Sequence, residues 1–291
     1  RDAIHNNRPY NQIARDFLTA SGETGTNPPV VWYRTVRDSK DQLENVAQVF
    51  LGVRMQCAQC HHHPYEKWSE DDYYGLQAFF SRITRKPGLQ PGEEIVLHNR
   101  GQATSQNPRT GKTLKPKNLG GNEPTIPSHE DPREHLADWM VNPNNPFFAR
   151  MLVNRYWKHF FGRGLVDPED DLRVTNPATH PELLENLASD FIASGYDLKH
   201  LIRTITNSRT YQFSAIPNQH NSLDTQNYSR FYPRRLPAEI LLDGINTVTG
   251  SKESFVGQPA GTRAIQLPDD TFSKSSYFLS VFGRPDMNSA C

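Results

Sequence analysis

Cys57, Cys60 and His61 form a C-x-x-C-H run, where residue types and spacing together specify one chemistry. Two thiols separated by two residues can add to the two vinyl groups on one edge of a porphyrin. The histidine that follows then comes under the iron as an axial ligand. The expected cofactor is one covalent haem c, attached through Cys57 and Cys60, with His61 as the metal ligand. The cofactor supplies the redox chemistry and the protein supplies placement. With 3 cysteines and 11 histidines in 291 residues, a chance match is on the order of one in a thousand, so chance is a weak competitor.

Three other readings use the same residues. Zinc could be held by Cys57, Cys60 and His61 or His63, but a closed structural site needs four ligands and the next cysteine is Cys291. A thioredoxin-type dithiol needs a βαβ setting, whereas the flanks here have helical periodicity. A structural disulfide, or two buried thiols beside a hydrogen-bonded histidine, is the plainest option.

Around the motif, His63 is a candidate to contact a haem propionate or to orient the loop, and Trp68 is the expected haem neighbour. Tyr73, Tyr74, Phe79 and Phe80 serve equally as porphyrin walls or as ordinary helix core. For a sixth iron ligand the sequence offers His98, His129, His135, His159, His180, Met140 or Met151, and an open iron is equally allowed. The run Asn154 to His159 is what a half-exposed amphipathic helix produces without any reaction.

The elements that must position these residues are mainly helical. Pro9, Ile13, Phe17 and Leu18 describe a first helix ended by Ser21-Gly22. Ser39 with Gln42 fits a capping box, and Leu43, Val46, Phe50 and Val53 carry a second helix to Met55, just before Cys57. Ser69 with Asp72 starts a third, its apolar face Leu76, Phe79, Phe80 and Ile83. From 84 to 127 the composition turns to Gly, Pro, Lys, Asn and Thr, with Ile95-Val96-Leu97 the one strand signal, so an irregular connector is expected. Asp131-Pro132 and Asn145-Pro146 then open helices, and Gly162 closes the second of them. Pro181 to Gly195, a helix capped by Asp197, and Pro237 to Gly250 follow, the last with a stripe of Leu241, Ile245 and Val248. The stretch from Ser251 to Cys291 is expected to pack irregularly.

Lys+Arg 32 balance Asp+Glu 32, so no basic field points to nucleic acid. Mean hydropathy is −0.72, and no stretch approaches the roughly 20 apolar residues that span a bilayer. The chain begins at Arg1 without a Met or a signal-peptide core, so it reads as a mature fragment.

From Phe50 to Phe80, FLGVRMQCAQCHHHPYEKWSEDDYYGLQAFF resembles the planctomycete-type cytochrome-c-like proteins, whose paired domains are of unknown function. The segments DPREHLADWMVNPNNPFFARMLVNRYWKHFFGRGLVDPEDDLRVTNPATHPELLENLASDF, SGYDLKHLIRTITNSRTYQFS, FYPRRLPAEILLDGI and FGRP are similar to the second domain of that family. The resemblance covers nearly the whole chain. It implies an exported protein and haem on Cys57, Cys60 and His61, and it transfers no activity. Many members are longer, with a further N-terminal cytochrome-like domain. The family's first domain usually starts further upstream, and its last segment runs past Cys291 with another cysteine nearby. Both ends are therefore expected to be cut, and Cys291 to have lost a partner.

Taken together, the sequence predicts a mainly α protein. A cytochrome-c-like part over 1–83 is joined by the irregular Pro/Gly-rich connector 84–127 to a second helical domain over 128–291. Electron transfer or ligand binding at haem is expected rather than enzymatic catalysis. Its home is the periplasm, cell surface or exterior, where haem c is assembled. Its partner is a redox protein or another subunit of such an assembly. The alternative is a cell-surface scaffold whose Cys-His cluster holds zinc or a disulfide.

Overall fold

A computed structural model describes residues 2–267 and 276–284. The chain divides into two compact units, Arg1–Tyr232 and Pro233–Cys291. The protein is mainly helical, and among the described residues no helix is long and apolar enough to cross a membrane.

The first unit opens with the short α1 (Asp2–His5) and α2 (Tyr10–Leu18), followed by β1 (Gly22–Glu23), α3 (Val31–Thr35) and α4 (Ser39–Val46). The cap of α4 is Asp38, one residue ahead of the Ser39 expected from sequence, and its carboxylate accepts from Lys40 N at 2.7 Å. Ser39 Oγ accepts instead from Gln77 Nε2 at 2.8 Å, tying α4 to α5 (Glu70–Ala78). Beyond Val46 the helix widens into a π-helical segment, Ala47–Leu51, and stops at Gly52, whose φ of +66° favours glycine. The helix thus ends four residues before the expected Met55.

Sequence places an irregular connector at 84–127, and the structure differs there. Ile83–Pro87 (β2) and Glu94–His98 (β3) form an antiparallel hairpin, and β1 pairs with the other edge of β3. Two further short strands, β4 (Ser105–Gln106) and β5 (Thr113–Leu114), pair in a second hairpin. Arg85 and Lys86 make β2 too polar to read as a strand, and β1, which pairs with β3, lies about seventy residues from it, beyond local patterning.

The stretch does not separate two cores in the structure. One core joins Leu18, Leu43, Met55 and Phe79 to Leu114 and Leu119. It continues through Leu136, Trp157 and Phe191 to Tyr228. The helices completing it are α6 (Pro132–Met140), α7 (Phe148–Phe161), α8 (Pro181–Ala193) and α9 (Leu198–Thr206). Asp131 caps α6 and Asp197 caps α9, as their sequence signals indicate. Asn145 Oδ1 accepts from Phe147 N and Phe148 N to start α7, and Gly162 ends it with a φ of +79°. A division at 84–127 would split this core, so the first unit continues to Tyr232.

The second unit contains α10 (Ala238–Thr249) and the short α11 (Tyr277–Val281), with a core of Ala238, Leu242, Phe255, Ala264, Leu267 and Leu279. Buried Asp243 accepts from Ala264 N at 2.8 Å and Ile265 N at 3.2 Å. The stripe expected on α10 is not the buried one: Ile245 is exposed, Val248 is 88% exposed, and the helix buries the Ala238–Leu242 face instead. So small a unit covers only one narrow helix face. Cys291 lies outside the described residues.

A charged clasp fixes α5, the helix that follows the Cys57 motif. Ser69 and Asp72 form the expected capping box. Glu70 then pairs with Arg109, Asp71 with Lys112 at 2.6 Å, and Asp72 with Lys117 at 2.8 Å. The Arg109 hydrogen bond holds Glu70 below the usual carboxylate range, and the Lys112 bond does the same for Asp71. Burial pushes Asp72 up, but Lys117 and Ser69 outweigh it and the net shift is downward. Depressed folded-state values mean that stability is present above about pH 4, where the unfolded carboxyls titrate. It is lost as pH falls through the folded values. R109Q/K112Q/K117Q is therefore expected to flatten the acid side of a melting-temperature-against-pH profile. An acid limb identical to wild type would show that the clasp contributes nothing.

Candidate functional site

The chain leaves Gly52 without regular structure, burying Val53 and Met55, and then makes one 3-10 turn, Gln56–Gln59. Ala58 N donates to Met55 O at 2.9 Å, and Cys60 N and His61 N both reach back to Cys57 O at 3.4 Å. Ala58 packs into the core, while Cys57 and Cys60 stand exposed at either end of the turn as free thiols. Tyr74 Oη donates to Gln59 O at 3.1 Å and pins the turn to α5. Burial, and next the neighbouring Cys60, push the Tyr74 phenol up, so it stays a donor.

His61 is exposed, and its Nδ1 lies 2.7 Å from the carbonyl oxygen of His62. A carbonyl only accepts, so Nδ1 carries the proton and the lone pair of the neutral ring sits on Nε2. An axial histidine needs this tautomer, with its second nitrogen donating to a backbone carbonyl. His63 has the opposite arrangement. It is buried, and its Nδ1 accepts from Tyr65 N at 3.2 Å while its own N donates to Trp68 O at 2.9 Å. His63 thus organises the loop that turns the chain from the motif toward α5.

Trp68 is buried in the same core as Met55 and Ala58. It packs near Phe147 at 6.3 Å between ring centroids, under the Lys67 ammonium at 5.0 Å, with its Nε1 buried and unpartnered. Tyr73, Phe79 and Phe80 are core residues as well. Tyr74, one of the aromatic residues nominated as porphyrin walls, hydrogen-bonds the turn directly through Gln59 O.

The candidates for a sixth ligand have contacts of their own. His135 Nε2 lies 2.7 Å from Glu130 Oε2, and His129 Nε2 lies 3.9 Å from Glu130 Oε1. His180 Nδ1 meets Thr179 Oγ1 at 3.2 Å, and His159 sits edge-on to Phe160 in the last turn of α7. His98 has a buried, unpartnered Nε2, and burial lowers its pKa. Met140 and Met151 are both buried. Among the described residues no group of three or more His, Cys, Asp or Glu side chains is placed to hold a metal ion. Zinc coordinated wholly by protein side chains would need such a group.

What braces the motif lies more than a hundred residues further along the chain and carries no sequence signal. Arg54 Nη2 meets Asp170 Oδ1 at 2.5 Å, and Gln48 Nε2 donates to the other Asp170 oxygen. Burial alone would raise Asp170, but Arg54 and Gln48 hold it below its ordinary value. Leu172 N donates to Gly52 O at 2.8 Å, Val174 N to Glu66 Oε1 at 2.9 Å, and Thr175 Oγ1 to Tyr65 O at 3.4 Å. Behind this loop Asn154, fully buried, bonds Val166 N and O and Glu169 O, a structural role consistent with the sequence reading of its run.

The donor set fits haem c at its attachment edge: two reachable free thiols a turn apart, followed by an imidazole whose Nε2 is left open. The aromatic side chains expected to enclose a porphyrin are largely committed to the protein's own core.

No curated protein and no solved structure matches the chain. Two family models do. PSCyt2, described as a protein of unknown function (DUF1549), matches residues 1–85 and contains the Cys57 turn. PSD1, described as a protein of unknown function (DUF1553), matches residues 132–282, more than half of the chain, and contains the Asp170–Thr175 brace. The chain therefore belongs to the PSD1 family, paired with a PSCyt2 domain as in the planctomycete-type proteins that its motifs resemble.

Proposed function

We propose that this protein carries one covalent haem c on the Cys57–His61 turn and serves electron transfer or ligand binding at the iron. The observation that carries the reading is the His61 tautomer, fixed by the His62 carbonyl, beside two exposed free thiols. When bound, haem supplies one-electron chemistry. The chain's part is placement. Cys57 and Cys60 would hold the haem as thioethers, each S–H adding across one vinyl C=C, sulfur to one carbon and hydrogen to the other, with no oxidant required. His61 offers Nε2 while the His62 carbonyl holds Nδ1–H. Tyr74, Arg54 and the Asp170–Thr175 loop keep the turn in place. Export to an oxidising compartment, and a redox protein or assembly subunit as partner, go with this reading.

The test is expression with haem-c maturation, acid–acetone extraction, and a reduced pyridine spectrum. Wild type is expected to keep a haem-c band and C57A/C60A to lose it. H61A is expected to keep the pigment with an altered spectrum before pyridine is added. A colourless wild-type protein holding stoichiometric zinc, or no metal, would overturn the proposal.

A further inference from the structure

A cleft of about 470 Å³ opens beside the β2–β3 hairpin. Four of its lining residues are cations: Arg34 in α3, Arg37 just beyond it, and Arg85 and Lys86 on β2. The carboxylates on its rim are Glu93 and Glu94. Arg37 grips Glu94 with both nitrogens, Nη1 to Oε2 at 2.9 Å and Nη2 to Oε1 at 2.8 Å. Glu93 is turned toward Gly25, where an added Cβ would lie 2.1 Å from its Oε1.

This leaves more positive than negative charge. Arg85 has no carboxylate of its own: Nη2 donates to Tyr33 O at 3.0 Å and Arg37 O at 2.8 Å, and Nε is buried without a partner. Those carbonyls hold the guanidinium in place without neutralising it. Arg34 and Lys86 are exposed and make no ion pair with a described residue. The environment of each group agrees. Burial, then repulsion from Arg37, lowers Arg85, whereas Glu94 is held down by its Arg37 hydrogen bond and by the fields of Arg85 and Arg34. Two carboxylates, Glu93 and Glu94, thus line the cleft against four cations, which leaves it with an excess of positive charge.

We propose that this cleft is an oxyanion-binding site, taking a doubly charged phosphate or sulfate group on Arg34, Arg85 and Lys86, with Arg37 beside them neutralised by Glu94. Planar guanidiniums match the paired oxygens of such a group, and Lys86 adds a mobile point charge. The site is independent of the Cys57 turn and does not rest on the haem reading.

The test titrates the full chain calorimetrically with inorganic phosphate, with sulfate, and with chloride at matched ionic strength. Saturable one-to-one binding of phosphate, sulfate or both is expected, with the tighter of the two naming the ligand type, and chloride failing to compete beyond screening. R34Q/K86Q changes two exposed side chains and is expected to keep the wild-type melting temperature while weakening binding about tenfold or more. E94Q removes the competing carboxylate and is expected to tighten binding several-fold. Absence of saturable binding, or the same affinity in wild type, R34Q/K86Q and E94Q, would overturn the site.

Discussion

Arg133→Ala is expected to destabilise the first unit by about 3–5 kcal/mol, the cost of stranding the partners of a buried charge. Arg133 is 0% exposed at the start of α6. Its Nη2 meets Asp131 at 2.6 Å and Ser21 Oγ at 2.8 Å, and its Nη1 donates to Ala20 O at 2.9 Å. The guanidinium also lies over the Tyr33 ring at 5.0 Å. Removing it leaves a carbonyl and a hydroxyl without their donor and Asp131 with only the backbone N–H of residue 133, and empties the space against Tyr33. Urea unfolding reads the loss. D131N/R133M, which removes both charges and refills the volume, is expected to be less harmed than Arg133→Ala. A loss below about 1 kcal/mol for the single variant would show that Asp131 finds other solvation at no cost.

Gly52→Ala is expected to cost about 2–4 kcal/mol, from left-handed backbone strain together with overpacking. Gly52 has a φ of +66°, and an added Cβ would lie 2.9 Å from both Leu172 Cδ1 and Met151 Sδ. Met151 is buried and so resists displacement, and the half-buried Leu172 is held close by its own N–H to Gly52 O. The substitution is aimed at the hinge between the π-helical segment and the Cys57 turn, so the fraction of chain carrying covalent haem should fall with stability. Urea unfolding at wild-type stability would mean that Leu172 and Met151 move aside freely. It would remove the reason for glycine at this position.

Much of this fold is legible from short-range chemistry. Asp131-Pro132 and Asp197 announce helix starts because their carboxylates reach N–H groups only two or three residues on, and Ser69 with Asp72 is legible for the same reason. Asp38 was missed because Ser39, beside it, has the same capping chemistry and a glutamine at capping-box spacing. At 83–98 the Ile95-Val96-Leu97 signal is borne out as β3, whereas its partner β2 carries no such signal because Arg85 and Lys86 interrupt the apolar pattern, and the third strand comes from residues 22–23. On α10 the residues at helical spacing are real, but a unit this small buries another face.

The candidate site divides in the same way. Cys57, Cys60 and His61 are readable because five consecutive residues carry the whole motif. What steadies them is distant in sequence: Arg54 and Asp170 are 116 residues apart, and Glu66 and Val174 are 108 apart. Trp68 is expected from the sequence as the haem neighbour, whereas its burial in the core near Phe147 is a long-range contact that the sequence does not display. The motif lies in the PSCyt2 region and its brace in the PSD1 region, which gives a physical reason for the two to occur together.

The most direct measurement is the intact mass of the denatured chain after expression with haem-c maturation, with thiol alkylation run in parallel. The expected result is one haem added to the chain mass, located on the peptide spanning Cys57 and Cys60, with neither thiol open to alkylation. An unmodified mass with both cysteines alkylated would contradict covalent haem on this turn.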